Sequence, residues 1–215
     1  MNLALASVDH LYRHLGMDRA NVRGERLPQT APRALSREQQ RLLQRATERA
    51  EPRDRALVAV MLFAGLWISE AVALDLDDVR VSPRKGMVIA RSGKRDAYRE
   101  VPLNALVRAT ITEWLERRPA LASETEQALF VSRGGRRLSA RATDASVRRV
   151  ARDGGLKVSA HGLRHTCLTN LVRQGEDLVM VAEIAGHVKI ETTRRYSLPS
   201  TADREAAMER MEIDF

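Results

Sequence analysis

The chain has 215 residues, enough to bury a core without covalent staples, and its one cysteine, Cys167, excludes an internal disulfide. Its formal charge is +8 and arginine carries it, because only Lys85, Lys94, Lys157 and Lys189 are lysines. No apolar run approaches the ~20 residues of a membrane span and no charged-then-apolar leader opens the chain, so a cytoplasmic, non-membrane protein is expected.

Residues 1 to about 20 carry Leu3, Leu5, Val8, Leu11 and Leu15 at helical spacing, which predicts one helix with little to pack on. The stretch NVRGERLPQTAPRAL then has the polar, proline-bearing composition of a linker. A main domain is expected to start near residue 34, where SREQ offers a capping box between Ser36 and Gln39. Helices are predicted over residues 36–50, 53–64 and 69–74. MVIAR and YREVPL read as short strands flanking SGKRDA, a hairpin with Lys94 near its tip. Residues 104–117 are amphipathic and helical, ALFV reads as a short strand, and residues 139–152 as a basic helix. The last third reads as short helices broken at Gly175, Gly186 and Pro199. The expected fold is mainly α with a small antiparallel β-sheet or hairpin, an α+β domain.

The positive charge is unevenly spread. Between Arg133 and Arg173 ten basic residues face two acidic ones, Asp144 and Asp153. Such a stretch is the footprint of a surface that meets phosphates, and Arg133, Arg136, Arg137, Arg141, Arg148 and Arg149 are the candidate double-stranded DNA contacts.

In AHGLRHTCLTNLVRQG, His161, Arg164 and His165 stand at i, i+3 and i+4, so a helix would project all three from one face. A polar face without chemistry would explain this. A zinc pair fits less well, because Gly162 stands where a metalloprotease needs its glutamate. An anionic oxygen site is the third reading, with the arginine fork and a titratable imidazole as donors. No carboxylate cluster at metal spacing is present in the sequence.

His187 follows Arg164 by 23 residues and Tyr196 follows His187 by nine, in GHVKIETTRRYS. With HGLRH, this set resembles the catalytic domain of the tyrosine recombinases, the integrase family of site-specific DNA recombinases. The spacings are similar to those of its bacterial chromosome-resolution members. AGLWISEAVALDLDDV and SGKRDAYREVPL extend the resemblance backward, so that it covers roughly residues 34–200.

The resemblance implies an enzyme that cleaves and rejoins DNA through a 3′-phosphotyrosyl intermediate, with no metal or ATP. It makes Tyr196 the nucleophile, Arg164 a clamp on a nonbridging oxygen, His161 the group assisting proton removal, and His187 a phosphate ligand. Lys94 would protonate the departing 5′ oxygen. Glu70 is expected to support the joint after Gly65, His165 to orient its neighbours, and Cys167 to be an inert buried thiol. Residues 1–33 would be the last helix of a core-binding domain plus a linker, in a chain that looks truncated. Residues 34–215 would be the catalytic domain, ending in a helix at about 200–212 that docks on a neighbouring copy in a DNA-bound tetramer.

One departure stands out. The family's first catalytic arginine would follow Gly65-Leu66, and Trp67 stands there. An indole has one N–H donor and no charge, so impaired cleavage is expected. The alternative is an inactive DNA-binding module of the same fold that occupies sites or regulates a full-length recombinase.

Overall fold

A computed structural model describes residues 10, 12, 14–17, 34–91, 98–187, 189–194, 196 and 208–209. It divides into two compact units, residues 1–31 and 32–215. In the first, His10, Tyr12 and His14 are helical and the Met17 amide closes on the Tyr12 carbonyl at 2.9 Å. The proposed linker, apart from Ala34 and Leu35, and the terminal helix at 200–212, apart from Met208 and Glu209, lie outside the described residues.

The second unit opens with α1 (Arg37–Glu48), and the expected capping box forms. Ser36 Oγ accepts the Gln39 amide at 3.2 Å, and Gln39 Oε1 accepts the Ser36 amide at 3.0 Å. Next, α2 (Pro52–Phe63) starts on a proline, which lacks the N–H that would be orphaned there anyway. Every residue from Ala56 to Leu62 is buried, so α2 is the axis of the domain. Against it pack α4 (Ala105–Arg117), α5 (Ala140–Asp153) and α6 (Ala160–Arg173). The short α3 (Ile68–Ala73) follows α2 after a four-residue joint, and α7 (Leu178–Ala185) and α8 (Ile190–Arg194) close the described domain.

A three-stranded antiparallel sheet in the order β1 (Val79–Val81), β2 (Gly86–Arg91), β3 (Tyr98–Pro102) lies beside this bundle. Val88 pairs with Val79 on one side and Val101 on the other, and Val88, Ala90 and Val101 are buried. The sequence announces only the β2–β3 hairpin. β1 was missed because three residues are too few to show alternation, and its place is set by pairing with β2. The expected strand ALFV does not form: its middle residues, Leu129 and Phe130, are bends and the segment joins no ladder. Only isolated bridges form, Asp75 with Ala128 and Val131 with Arg137, and the segment is buried in the core, where Trp114 Nε1 donates to the Leu129 carbonyl at 2.8 Å. Among the described residues no helix is long and apolar enough to cross a membrane.

Candidate active site

The joint between α2 and α3 is shaped by close packing. Gly65 sits at φ +62°, in the left-handed region, and a Cβ there would lie 3.2 Å from Cys167 Sγ. Trp67 then occupies the N-cap position of α3, where a short polar side chain is normally found. The cap is supplied from inside the helix instead: Glu70 Oε2 accepts the Trp67 amide at 2.8 Å. The indole is free to lean over α6. Arg164 Cζ lies 4.1 Å from its ring centroid, and the His161 ring stacks on it at 5.7 Å with an interplanar angle of 18°.

Arg164 is only 1% exposed. Its Nη1 donates to the Gly65 carbonyl, and its Nη2 donates to the Ala185 carbonyl at 2.6 Å and lies 3.2 Å from His187 Nε2. Arginine can only donate, so His187 Nε2 is the acceptor and its Nδ1 carries the proton, donated to Thr193 Oγ1 at 2.8 Å. Burial pulls the Arg164 guanidinium down to about 10, while nearby Glu70 partly restores it. At neutral pH it is still a cation. The site therefore holds a buried positive charge between the joint and the end of α7, roofed by an indole.

The remaining rings form a continuous run. His165 meets His161 edge-on at 5.0 Å and lies 4.6 Å from the Tyr196 ring, which in turn stacks on His187 at 6.2 Å. Tyr196 also packs against a small cluster of Leu168, Val181 and Ala185. His161, Arg164, His165, His187, Tyr196 and Trp67 thus converge, although four separate segments supply them. Ser159 caps α6 through the Gly162 amide, so His161 falls in its first turn while Arg164 and His165 point inward. Lys94 lies outside the described residues. Among those residues no group of three or more histidine, cysteine, aspartate or glutamate side chains is placed to hold a metal.

The six basic candidates divide by their partners. Arg137 Nη1 donates to the Val72 and Leu74 carbonyls at 2.9 and 3.2 Å, and its Nη2 pairs with Asp75. Arg148 pairs with Asp144 at 2.5 Å, one helical turn away on α5, and Arg149 pairs with Asp54. Arg133, Arg136 and Arg141 are exposed and without a protein partner among the described residues. Three of the six therefore also fasten the domain, which local charge counting cannot foresee.

Cys167 is buried against Gly65, and burial pushes its thiol up to about 12 despite the opposing charge of Arg164. It should remain uncharged and unreactive in the folded protein. Iodoacetamide at pH 8 is expected to leave Cys167 unmodified, as read by intact mass, and to alkylate it fully in denaturant. Above its ordinary value of 9.0 the unfolded thiol ionises before the folded one, so Cys167 lowers stability only as pH rises past 9.

Two residues of the site were missed by the sequence reading. Thr193 orients His187, and Arg99 on β3 holds Glu70 by two bonds of 2.5 and 2.8 Å. The available signal for Arg99 was its position two residues before buried Val101, which turns it toward the interior face of the sheet.

Residues 33–202 match the phage integrase family. The tyrosine recombinase XerA of Thermococcus kodakarensis is 29% identical over 99% of this chain and 75% of its own length. The tyrosine recombinase XerC of Alcanivorax borkumensis is 33% identical over 83% of this chain and 58% of its own, so the chain spans little more than half of that relative. Among solved structures, the XerH site-specific recombinase, in a post-cleavage complex with a palindromic difH substrate, superposes with a TM-score of 0.74 at 26% identity. That alignment covers 90% of this chain and 57% of XerH. The helical domain with its small antiparallel sheet is the tyrosine recombinase catalytic fold, and the chain belongs to the phage integrase family of tyrosine recombinases.

Proposed function

We propose that this chain is the catalytic domain of a site-specific DNA recombinase whose strand cleavage is held down by Trp67. The observation that carries the reading is the convergence of Arg164, His161, His187 and Tyr196 on one point, with the Trp67 indole laid over the guanidinium.

The substrate is double-stranded DNA, a reading supported by XerH, a site-specific recombinase solved bound to its palindromic difH substrate. Tyr196 attacks the phosphorus through its phenolic oxygen, forming the 3′-phosphotyrosyl bond as the bond to the 5′ oxygen breaks. His161 takes the phenolic proton, and Lys94 supplies a proton to the departing oxygen. Arg164 and His187 hold the nonbridging oxygens. In the tautomer held here His187 Nε2 is an acceptor, so donation to phosphate places the ring proton on Nε2 instead, with Thr193 Oγ1 donating to Nδ1. Because the bond energy is conserved in the phosphotyrosine, the reaction needs no cofactor. Arg133, Arg136 and Arg141 provide free contacts to the DNA backbone. Assembly as a tetramer on DNA through residues 200–212, the origin of residues 1–33 in a core-binding domain and a cytoplasmic location belong to the same proposal.

A second reading, a non-cutting module that occupies sites, is favoured by the commitment of both Arg164 terminal nitrogens to backbone carbonyls. A nicked duplex carrying the host element's end sequence tests both. The expected result is DNA binding that weakens steeply with salt, with a slow covalent adduct on denaturing gels that disappears in Tyr196→Phe. Binding without any adduct supports the second reading, and absence of salt-dependent binding overturns both.

A further inference from the structure

We infer that Arg99 is a positioning residue that sets the spacing between the joint at position 67 and the His187 end of α7. This inference rests on the active-site reading above. Arg99 Nη1 and Nη2 grip Glu70 Oε1 and Oε2 at 2.5 and 2.8 Å, and Nε donates to the Ile184 carbonyl at 2.8 Å. Every nitrogen of the fork is therefore used, and Glu70 is only 8% exposed. Glu70 Oε2 also accepts the Trp67 amide, so the chain of bonds runs from β3 through Arg99 and Glu70 into the first turn of α3. On its other side it runs to Ile184, whose carbonyl belongs to the last turn of α7 and accepts no helical amide among the described residues.

Gly186 allows the guanidinium to lie there. Its φ is +65°, and a Cβ at that position would stand 2.7 Å from Arg99 Nη1. His187 follows directly. Arg164 makes a parallel link, from the Gly65 carbonyl to the Ala185 carbonyl. The same two segments are thus joined twice, by a cation placed to meet substrate and by one held behind a buried carboxylate. Lysine cannot substitute for the second, because a single ammonium cannot satisfy a carboxylate fork and a carbonyl in one plane.

A merely stabilising pair would change how much protein is folded but not the geometry of His187 in the folded fraction. The test uses Arg99→Met and Arg99→Lys, each in the native chain and in Trp67→Arg. Two-bond proton–nitrogen spectra of the histidine rings report whether His187 keeps Nε2 as the acceptor. The native chain should show that single tautomer, folded Arg99→Met a mixture, and Arg99→Lys a spectrum closer to Arg99→Met. In Trp67→Arg, either change should slow adduct formation about ten- to a hundred-fold with DNA affinity nearly unchanged, the pattern of misplaced groups. An unaltered His187 tautomer in folded Arg99→Met, or an unaltered adduct rate per folded molecule, overturns the inference. If Trp67→Arg forms no adduct at all, the active-site reading fails separately, and the tautomer measurement still decides the role of Arg99.

Discussion

Trp67→Arg is expected to accelerate covalent adduct formation on a nicked duplex by at least ~10²-fold, the effect of restoring one preorganised donor. A charged arginine on a transferring phosphoryl group can reach ~10³ to 10⁵, so the upper end is large. The geometry says why the gain should appear in rate. Position 67 faces Arg164 across 4.1 Å, and its amide is fixed by Glu70, so a guanidinium placed there would share a phosphate with Arg164. Without DNA the two cations would repel, whereas the native indole gains ~0.5 to 2 kcal/mol from its cation–π contact. Trp67→Arg should therefore melt slightly lower alone and recover when DNA is bound. Affinity should change little, because one phosphate contact among many shifts the salt slope by about one. Tyr196→Phe must abolish the adduct in the same background. An inert Trp67→Arg on a cognate site would sink this account of the indole.

Asp54→Ala is expected to destabilise the domain by ~2 to 4 kcal/mol, measured by denaturant titration. Asp54 is 1% exposed in the first turn of α2, where the helix dipole also favours its charge. Arg53 Nε donates to Oδ1 at 2.9 Å and Arg149 Nη2 donates to Oδ2. Severing a buried pair by removing one partner typically costs ~3 to 5 kcal/mol. The lower range applies here because the Arg149 side chain is 51% exposed and can be solvated once released. The melting temperature should fall by about 5 to 15 °C. Arg149→Ala should also lower stability, with a smaller loss, while leaving the salt slope of DNA binding unchanged. A slope reduced by about one would instead make Arg149 a phosphate contact.

Local chemistry made much of this molecule legible in its sequence. Ser36 and Gln39 cap α1 as their spacing predicts, and the helices fall within a residue or two of their periodic segments, because capping and amphipathicity act over a single turn. The clustering of the candidate residues was readable for a related reason: His161, Arg164 and His165 lie within five residues, and their helical spacing places them together. What stayed hidden depends on partners far along the chain. Arg137 and Arg149 read as members of one basic stretch, yet they pair with Asp75 and Asp54, 62 and 95 residues away. Arg99 meets Glu70 across 29 residues, and β1 exists only because β2 lies beside it. The stacking of Trp67 on Arg164 is of the same kind, since only the approach of α6 to the joint brings a ring and a cation together.

That stacking also gives the protein an optical reporter. The chain has two tryptophans, and they sit in opposite settings. Trp114 is 1% exposed and hydrogen-bonded to a backbone carbonyl, a constant emitter insulated from solvent. Trp67 is 37% exposed and lies against a guanidinium and an imidazole. If the proposed site takes a phosphate that draws Arg164 toward itself, the surroundings of that one indole change, so occupancy should be readable in the intrinsic fluorescence without a label.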